Sequence, residues 1–311
     1  MRNFFSNDFL YINSVIENFK SADYESRKEI IKKIKDVKEV RIEFDSSPKS
    51  TCHRDIDCIA IGNQKRPVLL CAAFHAMENI TALVLLVFLF DLLNESKNSE
   101  FIKKKLDKQG FFIIPCINPD GVEIFLHGEE SAGEYKWLVR KICNGNLDIW
   151  QANARGVDLN HNFDAMWEKL RRIEIENNIN GPSRTRYGGE YAHSEQETKF
   201  LTQLCKAKNF CSAVAFHSQG EEIYYSFNGN TPKNSKEIAV MLAKESGYKL
   251  SEPDEKIASF GGFKDWFISY FNKPAFTVEV GKGVNPLPMS DLKNIYYRLR
   301  NMFFYLVDTQ I

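Results

Sequence analysis

Short runs of unbroken apolar residues alternate along this chain with stretches whose apolar positions recur every three or four residues, which predicts strands laid between helices. Residues 67–73 and 111–117 carry no charge and predict buried strands, residues 212–216 and 223–227 repeat that pattern, and Ala275–Val280 does so but for Glu279. Two lesser strands are expected at 40–44 and 57–61. Residues 8–35 read as helical, with Tyr11, Val15, Ile16 and Phe19 on one face and Ile30, Ile31 and Ile34 continuing after a Ser-Ala-Asp break. Further helices are expected at Ser235–Ser246, at Phe263–Phe271, from about Asp291, and after Ser194-Glu195-Gln196-Glu197, which sets acid in a first turn. The most apolar run, 80–93, is interrupted by Asp91 and is shorter than the ~20 residues a spanning helix needs, so it reads as a core helix. Asn118-Pro119-Asp120-Gly121 predicts a turn, and residues 126–189 read as irregular, a length of loop that is commonly functional. The fold class expected is α/β: a single domain over residues 1–311, built on a mixed, largely parallel twisted sheet with helices on both faces. Residues 1–36 would be an N-terminal helical extension.

Composition changes this picture little. With 311 residues, 43% hydrophobic and 26% charged, the chain can bury a large core, and its 41 basic and 41 acidic residues create no net field for nucleic acid or a membrane surface. A polar partner must be held by local charges. The first residues, Met1-Arg2-Asn3-Phe4-Phe5, lack the apolar core of a secretory signal, so the expected location is cytoplasmic. Seven cysteines without a CxxC pair argue against a disulfide framework or a thiolate zinc knuckle.

The chemistry gathers at strand ends. His75 and Glu78 follow the 67–73 strand one helical turn apart, close enough to reach a single ion, and His217 closes the strand 212–216. Either histidine alone would ordinarily be a hydrogen-bonded structural residue. In an open α/β sheet, however, sites gather outside the strands' carboxyl ends, where two histidines and a glutamate suit a catalytic zinc with a fourth position open. Glu279 stands inside the apolar run Phe276-Thr277-Val278-Glu279-Val280, where a charge is costly unless paired or near a metal. Its neighbours on the same face, Thr277 and Gly281, leave room for water or substrate, which favours a general base.

With Trp150-Gln151-Ala152-Asn153-Ala154-Arg155-Gly156-Val157-Asp158-Leu159-Asn160-His161-Asn162-Phe163 added, the chain resembles the zinc carboxypeptidases. Their order of His-x-x-Glu, arginine, Asn-Arg, His and base Glu is met by His75 and Glu78, Arg155, Asn160, His217 and Glu279. The resemblance extends to Gly261-Gly262-Phe263-Lys264-Asp265-Trp266 and Gly283-Val284-Asn285-Pro286, and is greatest toward the bacterial γ-D-glutamyl-diaminopimelate peptidases. It implies one zinc on His75, Glu78 and His217, with Glu279 as base and then acid, in a metallopeptidase acting on a peptide or γ-D-glutamyl-diaminopimelate bond of a muropeptide. Arg155 would stabilise the oxyanion, with Arg140 as a substitute, and Asn160, His161 and Lys264 would bind substrate.

Three positions depart from the family pattern. His161 replaces the arginine of the Asn-Arg pair, a weaker and pH-dependent grip. Ile257 stands where a tyrosine is expected. Lys264 occupies the specificity position, which implies an acidic substrate side chain; its neighbour Asp265 is expected to point elsewhere, because adjacent helical residues diverge by ~100°. The rival readings are an acylamino-acid amidohydrolase of the aspartoacylase and succinylglutamate desuccinylase type, and a zinc-site binding protein without turnover.

Overall fold

The computed structural model describes residues 9–34, 40–42, 48–251 and 260–309. Among these residues eight strands form one sheet: β1 (Val40–Ile42), β2 (Ile59–Ile61), β3 (Val68–Ala72), β4 (Phe111–Ile114), β5 (Ser212–Ser218), β6 (Glu222–Tyr224), β7 (Lys249–Ser251) and β8 (Ala275–Val280). Their spatial order is β1-β2-β4-β3-β5-β8-β6-β7. The central four are mutually parallel, β2 joins β4 antiparallel at one side and β6 joins β8 antiparallel at the other. The expected mixed α/β sheet is thus present. Its central strands are buried on both faces, which is why they read as unbroken apolar runs.

Side chains alternate between two cores. Val68, Leu70, Val214, Phe216, Phe276 and Val278 face helices α1 (Phe9–Glu17), α2 (Tyr24–Lys32), α3 (Ile80–Asn98) and α4 (Glu100–Lys108), with α9 (Ser235–Ser246) and α11 (Leu292–Asp308). Leu69, Cys71, Ala213 and Ala215 face α7 (Trp167–Glu176), α8 (Gln196–Ala207) and α10 (Phe263–Phe271). Ile12, Val15 and Ile31 lie in the first core, so the N-terminal helices share the core of the sheet. All seven cysteines are free thiols.

Three elements differ from expectation. The apolar segment feeding α3 is longer than the sequence suggests, spanning 23 residues at Ala76–Asn98, yet 89% of its most apolar window is buried inside the protein. It is apolar all round because it is surrounded, and its acids Asp91 and Glu95 are held by Arg300. Asn118-Pro119 opens a helix, α5 (Pro119–His127), rather than a free turn: Asn118 Oδ1 accepts from Gly121 N–H at 2.9 Å and Pro119 fills a first-turn position that needs no donor. Residues 126–189 are also not simply irregular, since they contain α6 (Lys136–Cys143) and α7.

Candidate active site

Strand β3 ends at Ala72, and the chain then turns through Ala73, at φ +50°, into a 3-10 turn at Ala76–Glu78 that leads into α3. Two bonds pin this corner: Ala73 N–H donates to Thr81 Oγ1 at 3.0 Å, and Thr81 Oγ1–H donates to the Glu78 carbonyl at 2.7 Å. His75 and Glu78 are therefore placed by backbone that has little freedom. His217 lies at the end of neighbouring β5, its ring stacked on Phe74 with centroids 5.4 Å apart.

The three side chains converge. His75 Nδ1 lies 2.8 Å from Glu78 Oε1, His217 Nδ1 lies 3.1 Å from Glu78 Oε2, and the two Nδ1 atoms are 3.3 Å apart. All three offer a ligand atom within 4.8 Å of the others. The outer side of the cluster is held as well: His75 Nε2 faces Asp158 Oδ1 at 3.1 Å, and Ser218 N–H donates to Glu78 Oε2 at 3.1 Å. With Nε2 committed to a carboxylate, His75 presents Nδ1 inward, the arrangement by which a second carboxylate orients a metal-ligating imidazole. Two imidazole nitrogens and a carboxylate crowded at these distances repel unless a proton or a cation lies among them. The donor set fits zinc.

Electrostatics agree with that crowding. Burial alone would lower the His75 pKa, but the Glu78 and Asp158 carboxylates outweigh it and hold it well above the ordinary imidazole range. Burial would raise Glu78, but His75 and His217 hold it down to about 2. Asp158, despite its burial, is held well below the carboxylate range by His75 and His161.

Glu279 pairs in register with His217 across the β5–β8 ladder. It is half-buried, and its carboxylate has no hydrogen-bond partner among the described residues. Burial and then the neighbouring Glu78 charge raise its pKa well above the usual value. A carboxyl group beside a metal site, with its oxygens not claimed by a neighbour, suits proton transfer.

The other expected residues are placed less simply. Asn160 Oδ1 accepts from Phe263 N–H at 3.0 Å, which orients its amide. His161 is buried, its Nδ1 2.9 Å from the Arg186 carbonyl and 3.5 Å from Glu174 Oε1, so one nitrogen is committed within the protein. Arg155 pairs loosely with Glu190 and Glu195, at 3.9 and 3.7 Å, and neither belongs to the ligand cluster. Arg140 lies exposed between Glu129 and Glu130, 3.2 and 3.0 Å away. The expected oxyanion role thus finds no support in the contacts of either arginine. Ile257 falls outside the described residues.

Lys264 requires a correction. It is buried, its ammonium donates to the Ser226 carbonyl at 2.7 Å, and it pairs directly with Asp265. The divergence of adjacent helical residues fixes Cβ directions only; a four-carbon lysine stem at the first turn of α10 bends back far enough to meet the neighbouring carboxylate. Sequence reading missed Asp158 as the partner of His75. The signal was its place two residues before Asn160.

Against known proteins, the family model described as zinc carboxypeptidase matches residues 28–302. The chain is 34% identical over 252 residues to gamma-D-glutamyl-L-diamino acid endopeptidase 1 of Lysinibacillus sphaericus, covering 79% of this chain and 62% of that relative. It is also 34% identical to the uncharacterized protein YqgT of Bacillus subtilis (strain 168), covering 72% and 60%. The chain thus spans about three fifths of the length of these two curated relatives. Among solved structures, thrombin activatable fibrinolysis inhibitor superposes with a TM-score of 0.69 at 17% identity, covering 96% of this chain and 81% of that one, a likeness of fold. A profile match over nearly the whole length, on a fold that gathers His75, Glu78 and His217 at two strand ends, means that the chain belongs to the zinc carboxypeptidase family.

Proposed function

We propose that this protein is a zinc-dependent metallopeptidase that hydrolyses a γ-D-glutamyl to L-diamino acid bond in peptides derived from the cell wall. The observation that carries the reading is the convergence of His75, Glu78 and His217, with Glu279 paired to His217 across the β5–β8 ladder. The named activity of the Lysinibacillus relative supports the substrate class.

His75 Nδ1, Glu78 and His217 Nδ1 would hold the zinc, which when bound lowers the pKa of water toward ~7 and polarises a carbonyl. Asp158 holds the His75 ring, and Phe74 holds that of His217, so neither ligand must be ordered when substrate arrives. Glu279 accepts a proton from the attacking water on its carboxylate and passes it to the nitrogen of the departing amine. One carboxyl group can act first as base and then as acid, because the proton it takes is the one it returns. Asn160 anchors a substrate oxygen through its amide N–H groups, the orientation being set by Phe263 N–H.

Zinc-loaded protein incubated with γ-D-glutamyl-L-lysine, γ-D-glutamyl-diaminopimelate peptides, N-acyl amino acids and ordinary α-linked peptides should release the diamino acid from the first two. Mass spectrometry reads the products. Cleavage confined to acyl amino acids or to α-linked peptides would overturn the proposal.

A further inference from the structure

Register shows what lies beside Glu279 on the side away from the ligands. Glu279 pairs with His217 of β5 and with Glu222 of β6, and Thr277 pairs with Ala215 and Tyr224. Residues opposite one another in adjacent strands project to the same face. His217, Glu279 and Glu222 therefore form one row, with Ala215, Thr277 and Tyr224 beneath it. The alternate residues Ile223, Phe276, Val278 and Val280 are fully buried in the opposite core, whereas Glu222, Tyr224, Thr277 and Glu279 are all half-exposed. Beyond the buried His217 and Ala215, the rows are partly open and continue outward from the ligand cluster.

Its charge is negative. Tyr224 O–H donates to Glu222 Oε2 at 2.5 Å, and this bond, more than any other influence, holds the Glu222 pKa below the ordinary value. Lys249 lies 3.4 Å from Glu222 Oε1, but it is 74% exposed, and such surface pairs contribute little. Lys264, the cation expected to dominate specificity, is neutralised by Asp265. An ionised carboxylate braced by a phenol, with aliphatic and aromatic surface next to it, suits an alkylammonium.

Building on the peptidase reading, we propose that Glu222 and Tyr224 form a specificity subsite that recognises the side-chain ammonium of the substrate's diamino acid. Glu222 supplies the charge. Tyr224 fixes the carboxylate in place and offers its ring to the methylene chain.

The test uses the zinc-loaded chain with L-lysine and its isostere L-norleucine, measured as binding by calorimetry and as kcat/KM on the corresponding γ-D-glutamyl dipeptides. A charge-assisted hydrogen bond predicts that lysine is favoured by roughly 10- to 100-fold. Glu222→Gln should erase the preference by lowering lysine toward norleucine, and Tyr224→Phe should lose part of it. A wild-type protein that treats both alike, or Glu222→Gln weakening both equally, overturns the subsite. Lysine bound preferentially through Glu222 with no γ-D-glutamyl peptide cut would sink the reaction and keep the subsite; peptides cut without preference would do the reverse.

Discussion

Replacing Asp158 by asparagine tests the part of the site that lies behind the ligands. Asp158 Oδ1 faces His75 Nε2 at 3.1 Å and accepts from Asn160 N–H at 3.0 Å, while Oδ2 accepts from Arg186 N–H at 3.1 Å. The amide keeps one oxygen and the side-chain shape, so the 3-10 turn at Leu159–His161 should survive, but it removes the negative charge that makes His75 a better donor. Loss of such a partner typically costs 10- to 100-fold in metal affinity, or about 1.4–2.7 kcal/mol. The dependence on pH has a sign of its own. In the metal-free protein the Glu78 and Asp158 charges keep His75 protonated well above its ordinary pKa, so a metal must displace that proton. Asparagine lowers the His75 pKa and eases that competition. The affinity deficit should therefore be large near pH 8 and shrink toward pH 6. Competition with a chromophoric chelator at the two pH values measures it, with circular dichroism to establish that the variant is folded. Zinc bound by folded Asp158→Asn at wild-type affinity, or a deficit that grows on acidification, would refute the role assigned to Asp158.

Glu279→Gln should retain zinc, because Glu279 is not among the ligands, and should lose ~10²- to 10⁴-fold in kcat; near-normal turnover would make Glu279 structural. Glu197 is fully buried, and burial, followed by the Asp120 and Glu195 charges, pushes its pKa up to about 8. As pH rises from ~4.5 to 8 the unfolded chain gives up this proton while the folded chain keeps it, so stability falls through that window. Glu197→Gln should remove that contribution, gaining on wild type in denaturant melts at pH 8 relative to pH 5, and parallel losses in both proteins would refute it. Lys264→Met leaves Asp265 buried without its cation and should destabilise the fold by ~3–5 kcal/mol, with the lysine-over-norleucine preference intact among the folded molecules. A collapse of that preference in folded Lys264→Met would return specificity to Lys264.

The sheet was legible because its central strands are buried on both sides, and burial on both sides erases polar residues from the sequence. Ser235–Ser246, Phe263–Phe271 and Ala275–Val280 were bounded correctly to the residue. Helices α4 to α7 were not read, for two different reasons. Asn-Pro is a signal both for a turn and for a helix start, and only the capping bond from Gly121 N–H decides between them. The others are 8 to 10 residues long, too short to be stable alone, so their helicity comes from packing that no local pattern encodes. Strand β7 has three residues and owes its existence to β6.

The candidate site divides along the same line. His75, Glu78, His217 and Glu279 could be picked out because each interrupts an apolar run, and a polar group there needs a reason. Arg155, Lys264 and Asp158 sit in polar or mixed sequence, where the partner decides the role and the partner is remote or unexpectedly near. The turn after Arg155 leaves its guanidinium with Glu190 and Glu195, and Asp158 reaches His75 across 83 residues of chain. Lys264 shows the limit most sharply. A lysine read as free charge implied an acidic ligand, but burial forbids an unpaired ammonium, and the nearest carboxylate was its own neighbour. Once that pair cancels, a carboxylate beside Glu279 on the side away from the ligands is Glu222, held by Tyr224, by Ser251 and only weakly by Lys249. On the subsite proposed above, the charge that selects the diamino acid side chain is then a carboxylate, and the group it selects is an ammonium.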